Sequence, residues 1–198
     1  MSAPEIEFST VTGPAMRMHL DEIAALRIEV FREWPYLYEG TVDYERDYLL
    51  HYARCPSGVA VLAHSRGKVV GASTALPLAA AAKEFQEPFG GSKYHVDEVF
   101  YFGESVLRET FRGQSVGRKF FIERERVARE QGFCFCAFCA VDRDLRDPRR
   151  PQGYRDLANF WDSLGYEKQE NLRARLKWQE IDKDEETVNT LTFWLKMI

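Results

Sequence analysis

The sequence has little that would take it out of water or into an oxidising compartment. Its longest apolar run, Phe133 to Val141, is about half of the roughly 20 residues that cross a bilayer. The stretch Met1 to Thr10 lacks the basic and apolar regions of a secretory leader, so a cytoplasmic protein is expected. No basic excess exists either: the formal net charge is −4, which argues against a nucleic-acid partner. The arginine cluster between Arg143 and Arg155 is local and reads as a solvated loop. Cysteine is scarce, at four residues. Three of them, Cys134, Cys136 and Cys139, share one apolar run, but strand geometry puts Cys134 and Cys136 on one face and Cys139 on the other. With no CxxC pair and no paired histidines, the spacing suits no metal, and buried free thiols are expected. There is no internal repeat, linker or low-complexity tract.

What is present is an ordinary globular mixture, 45% apolar and 29% charged, in a length that one core can fill. A single domain over residues 1–198 is expected. Glu5 to Val11 reads as a strand, Leu20 to Phe31 as an amphipathic helix stopped before Pro35, and Tyr44 to Tyr52 as a second helix. Gly58 to His64 and Lys68 to Leu76 flank Ser65-Arg66-Gly67 as a hairpin. Ala79 to Lys93 is ambiguous, its alanines favouring helix and its Pro88, Gly90 and Gly91 ending one.

Val99 to Leu107 is a strand candidate that feeds a loop, Arg108 to Val116, and then a helix from Gly117 to Gln131. That helix sets Phe120, Phe121, Val127 and Ala128 on one face, with Lys119–Glu123 and Glu125–Arg129 pairs beside it. Phe133 to Val141 reads as a strand buried on both faces. A short helix at Leu157 to Leu164 and a hairpin of Leu172 to Ile181 with Thr187 to Met197 complete the chain, joined by the acidic turn Asp182 to Glu186. The final apolar strand, Thr190 to Ile198, could pair with a second copy as a homodimer if it formed a sheet edge.

The chemistry concentrates at Arg112-Gly113-Gln114-Ser115-Val116-Gly117-Arg118, where a strand gives way to a helix. The first amides of a helix have no internal partner, and with the helix dipole they favour an anion. Gly113 and Gly117 let the main chain approach a diphosphate, and Arg112 and Arg118 add positive charge. The loop lacks the Gly-Lys-Ser/Thr ending of a P-loop nucleotide binder.

Residues Arg112 to Gly117 resemble the signature of the GNAT superfamily of N-acetyltransferases: Arg or Gln, two residues, Gly, one residue, then Gly or Ala. Ser115 stands where that family usually has glycine. Phe160-Trp161-Asp162-Ser163-Leu164-Gly165-Tyr166 is similar to the family's later Phe-Tyr-x-x-x-Gly-Phe segment. The resemblance implies an α/β fold with a mixed, strongly twisted central sheet flanked by helices, a splayed central strand pair and a C-terminal hairpin. It also implies acetyl-CoA as cosubstrate, with no metal. Coenzyme contacts would fall to Val106, Leu107, Arg112, Gly113, Gln114, Ser115, Val116, Gly117, Arg118 and Asn159. An N–H near Leu107 would stabilise the oxyanion.

Transfer to an amine needs a base, because presenting a neutral alkylamine at pH 7 costs roughly 4 to 5 kcal/mol. Glu104, Glu98, Asp97 and His95 lie on or just before the strand feeding the loop. Glu104 is the first choice, since its apolar neighbours would raise its pKa; a structural ion pair with an arginine is the competing reading. In many relatives a tyrosine protonates the leaving thiolate, but here that position is Trp161, which leaves Tyr154, Tyr166 or water, with Tyr154 first. Recognition of a small-molecule or peptide amine is expected from Trp34 to Tyr44, Leu78 to His95 and Arg143 to Arg155. A catalytically silent acyl-CoA sensor is the alternative that Trp161 motivates.

Overall fold

A computed structural model describes residues 5–198. Strand β1 (Glu7–Thr12) leads through a 3-10 turn into α1 (Leu20–Phe31), whose Leu20, Ile23, Ala24 and Leu26 are buried at helical spacing. Helix α2 (Val42–Arg54) starts at Thr41, whose hydroxyl accepts from the Tyr44 N–H at 3.4 Å. Strands β2 (Val59–Ser65) and β3 (Lys68–Pro77) form the expected hairpin. Its two turn residues, Arg66 and Gly67, both have positive φ, 51° and 72°, which suits the right-handed strand twist.

The ambiguous segment after β3 does not form one helix. It breaks into a short α3 (Lys83–Gln86) between 3-10 turns, with the Gln86 amide tied back to the Ala81 carbonyl at 2.6 Å. Strand β4 (Val99–Leu107) and helix α4 (Val116–Glu130) match expectation closely, and β5 (Phe135–Val141) follows. Helix α5 (Ala158–Ser163) precedes the terminal hairpin, β6 (Glu167–Gln179) and β7 (Glu186–Met197). β6 begins earlier than expected because a bulge between Gln169 and Arg173 interrupts its alternation.

All seven strands join one mixed sheet in the order β1-β2-β3-β4-β5-β7-β6. β4 and β5 are parallel; the other neighbours are antiparallel. Helices α1 and α2 cover one face, where Ile23, Leu49, Tyr101 and Cys139 share a core. Helix α4 covers the other, where Phe100, Phe102, Phe121 and Phe138 share a second. Successive residues of β4 thus face opposite cores, as strand geometry requires.

Two expectations are corrected by this topology. The final strand β7 lies inside the sheet between β5 and β6, so it is no edge for pairing with a second copy. The edges are β1 and β6, and β6 carries Lys168, Glu170, Arg173, Arg175 and Lys177, charges of the kind that discourage edge association. The cysteines also divide differently. Cys136 and Cys139 are buried on opposite faces, but Cys134 precedes the strand and is exposed, and Cys55 is half-buried; all four are free.

No helix among the described residues is long and apolar enough to cross a membrane. No group of three or more His, Cys, Asp and Glu side chains among them could hold a metal ion.

Candidate active site

Strands β4 and β5 pair only over Val99–Phe135, Phe100–Cys136 and Tyr101–Ala137. Beyond Tyr101 and Ala137 both strands continue, to Leu107 and Val141, without pairing to each other. This is the splay expected between them. On its other side β4 stays paired to β3 through Ser73–Ser105, Ala72–Val106 and Gly71–Leu107. The Arg108 N–H donates to the Val70 carbonyl at 3.1 Å, which fixes the phase of that ladder. Alternation then commits the main chain of Val106 to β3 and turns that of Ser105 and Leu107 toward the opening. Of the two residues expected to offer main-chain contacts, Leu107 has the suitable phase; Ser105, which sequence reasoning missed, shares it.

At the end of β4 the chain passes Arg112 and enters α4. Gly113 adopts φ 77° and Ser115 φ 63°, so the position where the resemblance leads one to expect glycine is left-handed in fact. Ser115 gives no side-chain cap to α4, and the first turn holds no acidic residue. The helix start is therefore uncapped and free of negative charge, the condition under which its amides suit an anion. A Cβ at Gly113 would meet nothing within 4 Å, and one at Gly117 would meet only Phe160 at 3.6 Å. Gln114, Ser115, Arg112 and Arg118 are exposed, whereas Val116 is buried and anchors the helix start. Arg112 is held by the Leu107 carbonyl at 3.2 Å and by Glu33 at 2.8 Å. Arg118 donates to Ser163 Oγ at 3.3 Å, which brings α5, with exposed Asn159 on its first turn, to the loop. These residues fit a diphosphate-bearing coenzyme.

Glu104 sits in a β-bulge, where Gly103 and Glu104 together face Thr74 of β3. Its side chain is buried, with Oε1 accepting from Thr74 Oγ1 at 2.7 Å and Oε2 from Arg27 Nη1 at 2.6 Å. Arg27 in turn holds Glu45 through Nε. Burial pushes the Glu104 carboxyl above the ordinary value, against the opposing pull of Arg27 and Thr74. The arginine pairing weighed from sequence is thus present, and so is the raised pKa. The three other candidate bases lie elsewhere: His95, Asp97 and Glu98 precede β4 at its paired end, where the Glu98 carbonyl accepts from Cys134.

Behind Glu104 a second buried arginine, Arg124 of α4, donates to the carbonyls of Thr74 and Glu104 at 3.2 and 3.1 Å and lies over Phe102. Burial lowers its pKa to about 10. No sequence signal marked Arg27, Glu45 or Arg124 as partners of the β4 bulge.

Tyr154 is half-buried beside Trp34, their ring centroids 6.2 Å apart, and burial raises its pKa. Tyr166 is buried under α4 and donates to Glu125 at 3.1 Å, so its phenol is engaged away from the opening. Trp161 packs against Phe138 and Trp194, with centroids 5.0 and 5.1 Å away, as part of the second core. The Arg143 to Arg155 segment is not an open basic patch. Arg143 and Arg149 close on Glu180, and Arg149 also on Asp147 and Asp182.

No protein-family profile matches the chain, and no curated protein matches its sequence. Solved structures do match its fold. A ribosomal-protein-alanine N-acetyltransferase from Brucella melitensis superposes with TM-score 0.62 at 16% identity, over 97% of this chain and 99% of that one. A Drosophila melanogaster polyamine N-acetyltransferase, which forms N-acetylagmatine, superposes with TM-score 0.63 at 10% identity, over 98% and 100%. A Salmonella typhimurium structure described as an acetyltransferase and solved with acetyl-CoA gives 0.56 at 11% identity, over 97% and 93%. The fold is that of the GNAT acetyltransferases, with the mixed seven-stranded sheet and flanking helices of that class.

Proposed function

We propose that this protein transfers the acetyl group of acetyl-CoA to a primary amine by direct attack within a ternary complex. The observation that carries the reading is the parting of parallel β4 and β5 immediately before the uncapped start of α4, on a fold shared with acetyltransferases. The α4 amides and Gly113 to Gly117 would hold the diphosphate, and the unpaired edge of β4 at Ser105 and Leu107 would hold the pantetheine arm as an extra strand. The Leu107 N–H would donate to the oxyanion as the amine nitrogen attacks the thioester carbon.

Glu104 takes the ammonium proton through water in this reading, because its own side chain is closed off by Arg27 and Thr74. As the carbon–sulfur bond breaks, Tyr154 gives its proton to the sulfur and recovers one from solvent. The products are the N-acetylamine and the free thiol, with one proton released when the acceptor starts as an ammonium. Amine acceptors are consistent with neighbours named for a polyamine and for a ribosomal-protein alanine.

Calorimetry with acetyl-CoA, followed by thiol release across a panel of amines, tests the reading. Gly117→Asp, which puts a carboxylate at the helix start, should abolish binding in a protein that still folds. Tight binding with no transfer to any amine would replace the enzyme by a sensor. Unchanged affinity in folded Gly117→Asp would remove the loop from the site.

A further inference from the structure

Between Phe102 and Ser105 the faces of β4 change step. The bulge places Gly103 and Glu104 on one face: a Cβ on Gly103 would meet the Tyr52 hydroxyl of α2 at 2.2 Å, and Glu104 meets Arg27 of α1. On that face Gly103 borders an aromatic cavity of about 480 Å³, lined also by Tyr36, Tyr38, Tyr48 and Phe85. Ser105 is turned the other way, toward α4, where Arg124 Nη2 donates to its hydroxyl at 2.8 Å. Phe102, the first residue of β4 no longer paired to β5, is buried and apolar, so Ser105 is the first polar side chain that β4 offers on the α4 side of the splay.

Ser105 is exposed, and its exposed side is the opening itself. Its register partner on β3, Ser73, is fully buried, and α4 covers it at Arg124, so the side left open is the one facing β5. The hydroxyl accepts from Arg124 and gives its own hydrogen to nothing among the described residues. Ser73, directly opposite, carries one of the two buried side-chain oxygens among them with no hydrogen-bond partner, so it does not take that hydrogen either. With one lone pair held from behind, the hydroxyl keeps its donor for whatever enters the opening.

Behind the hydroxyl stands a charge. Arg124 is 1% exposed, yet it bonds only neutral oxygens: the carbonyls of Phe120, Thr74 and Glu104 at 3.2, 3.2 and 3.1 Å, and Ser105. Arg27 is by contrast held by two carboxylates. The Arg124 guanidinium lies 4.1 and 5.0 Å from the ring centroids of Phe102 and Phe121, which fix its plane. Burying a cation without a carboxylate is costly, and this one is joined to both the Glu104 carbonyl and the Ser105 hydroxyl. It therefore polarises the hydroxyl and the peptide that leads into Ser105.

We propose that Ser105 is a catalytic residue whose hydroxyl donates to the thioester oxygen as it becomes an oxyanion, and that Arg124 is the positioning residue that aims and polarises it. The inference rests on the acetyl-transfer reading above and adds a side-chain donor beside the Leu107 N–H. A pantetheine arm entering from the start of α4 passes Leu107 and reaches Ser105 next, which brings its acyl end to the hydroxyl. The hydroxyl keeps its proton throughout; it stabilises charge, and the proton for the sulfur still comes from Tyr154.

The test compares kcat, KM and calorimetric affinity for acetyl-CoA in the parent, Ser105→Ala and Ser105→Thr, using the best amine of the panel. Ser105→Ala is expected to lower kcat by about 100- to 1,000-fold, the worth of one oxyanion donor, with acetyl-CoA affinity within about three-fold. Ser105→Thr, which keeps the hydroxyl, should hold kcat within about ten-fold of the parent. If Ser105→Ala fails to fold, Ser105→Val serves against Ser105→Thr, the two being alike in shape and strand preference, with Val expected about 100-fold below Thr. Arg124→Lys should lower kcat by about ten-fold in the parent and cost nothing further in Ser105→Ala, because it acts through the hydroxyl. Phe102→Leu, which removes a ring from under the guanidinium, replaces Arg124→Lys if that variant does not fold. An equal factor in both backgrounds would make Arg124 purely structural and overturn its role. Parental kcat in Ser105→Ala, or a loss confined to acetyl-CoA affinity, would overturn Ser105 and leave acetyl transfer standing. No transfer by the parent to any amine would overturn acetyl transfer and this donor with it.

Discussion

Arg27 Nη1 and Glu104 Oε2 meet at 2.6 Å across 77 positions of sequence, joining the first helix to the bulge of β4. The contact orients the carboxylate that stands beside the splay, and with Thr74 donating to the other oxygen both carboxylate oxygens are engaged. Arg27 is itself clamped by Glu45 and lies 4.2 Å from the centroid of Tyr48, so the whole assembly is preorganised.

Glu104→Gln should therefore lower turnover by about 100- to 10,000-fold, the usual worth of a general base. Affinity for acetyl-CoA should stay within a few-fold, because the residue points away from the α4 start. Steady-state rates and calorimetry on the same preparation check this. A loss of only a few-fold would assign Glu104 to structure alone and point to an amine that arrives neutral. The parent's rate should also fall as pH drops through the raised Glu104 pKa, and the mutant should lose that limb.

Ser115→Gly should stabilise the protein. Ser115 holds φ 63°, a conformation that costs a residue with a Cβ roughly 1 to 2 kcal/mol and glycine nothing. Part of that gain is offset by the greater freedom of glycine in the unfolded chain, leaving about 0.5 to 1 kcal/mol, or a Tm rise of roughly 1 to 4 °C. Thermal unfolding measures it. A lower Tm would mean that the serine hydroxyl contributes something its geometry does not reveal, since it makes no cap to α4.

These two sites show what sequence could and could not give. The β4-loop-α4 unit was legible because its signals are local: an apolar strand, a glycine pair and a helix of regular period. Ser115 was visible as a departure, though its left-handed backbone was not. The environment of Glu104 was hidden, since Arg27, Glu45 and Thr74 come from elements far apart in the chain and are brought together only by sheet order. The place of β7 was hidden for the same reason: an apolar terminal strand reads alike at an edge or in the interior. The aromatic cavity is half visible in sequence, because Tyr36 and Tyr38 lie in the Trp34 to Tyr44 segment, and Phe85 in the Leu78 to His95 segment, from which acceptor recognition is expected. Tyr48, at helical spacing from Tyr44 and Tyr52, was the available signal for the rest. Phe89 and Tyr94, in the same Leu78 to His95 segment, pack instead on Phe193 and Phe135.

Acid should loosen the loop that follows β5. Burial works to raise the Glu180 carboxyl, but hydrogen bonds from Arg143 and Arg149 outweigh it and hold the pKa low. Hydrogen bonding from Arg149 holds Asp147 at about 2. Groups depressed on folding stabilise the protein above their unfolded pKa, near 4, and that contribution disappears as pH falls through the folded values. Stability should thus decline between about pH 4 and pH 2. Glu180→Gln should cost on the order of 2 kcal/mol at pH 7 and flatten the acid decline. Denaturant midpoints from pH 7 to 2 decide it, and an acid limb unchanged in Glu180→Gln would exclude this cluster as its source.

The source of the sulfur's proton separates Tyr154 from Trp161. Trp161 is packed between Phe138 and Trp194 in the second core, so as a packing residue its replacement by tyrosine should cost modest stability, about 1 kcal/mol, and leave the rate alone. If its ring also borders the departing sulfur, the new phenol could donate a proton, and Trp161→Tyr would retain or raise kcat. Tyr154 is the acid in the proposed mechanism. Its pKa is raised by burial, so the phenol stays protonated through neutral pH and ionises only at alkaline pH. As the acid it should give the parent a decline in kcat at high pH, beginning above the ordinary tyrosine value of about 10. Tyr154→Phe should lower kcat by about 10- to 100-fold, less than loss of a base, because a thiolate with a pKa near 8.5 leaves tolerably without help. The same mutant should lose the alkaline decline, since the group responsible is gone. Rates from pH 6 to 11 on parent and both mutants measure all three effects. A Tyr154→Phe enzyme that kept the parent's rate and its full pH profile would remove Tyr154 from the chemistry. Tyr166 would not take its place, because its hydroxyl is spent on Glu125 beneath α4, and water would then be the proton donor.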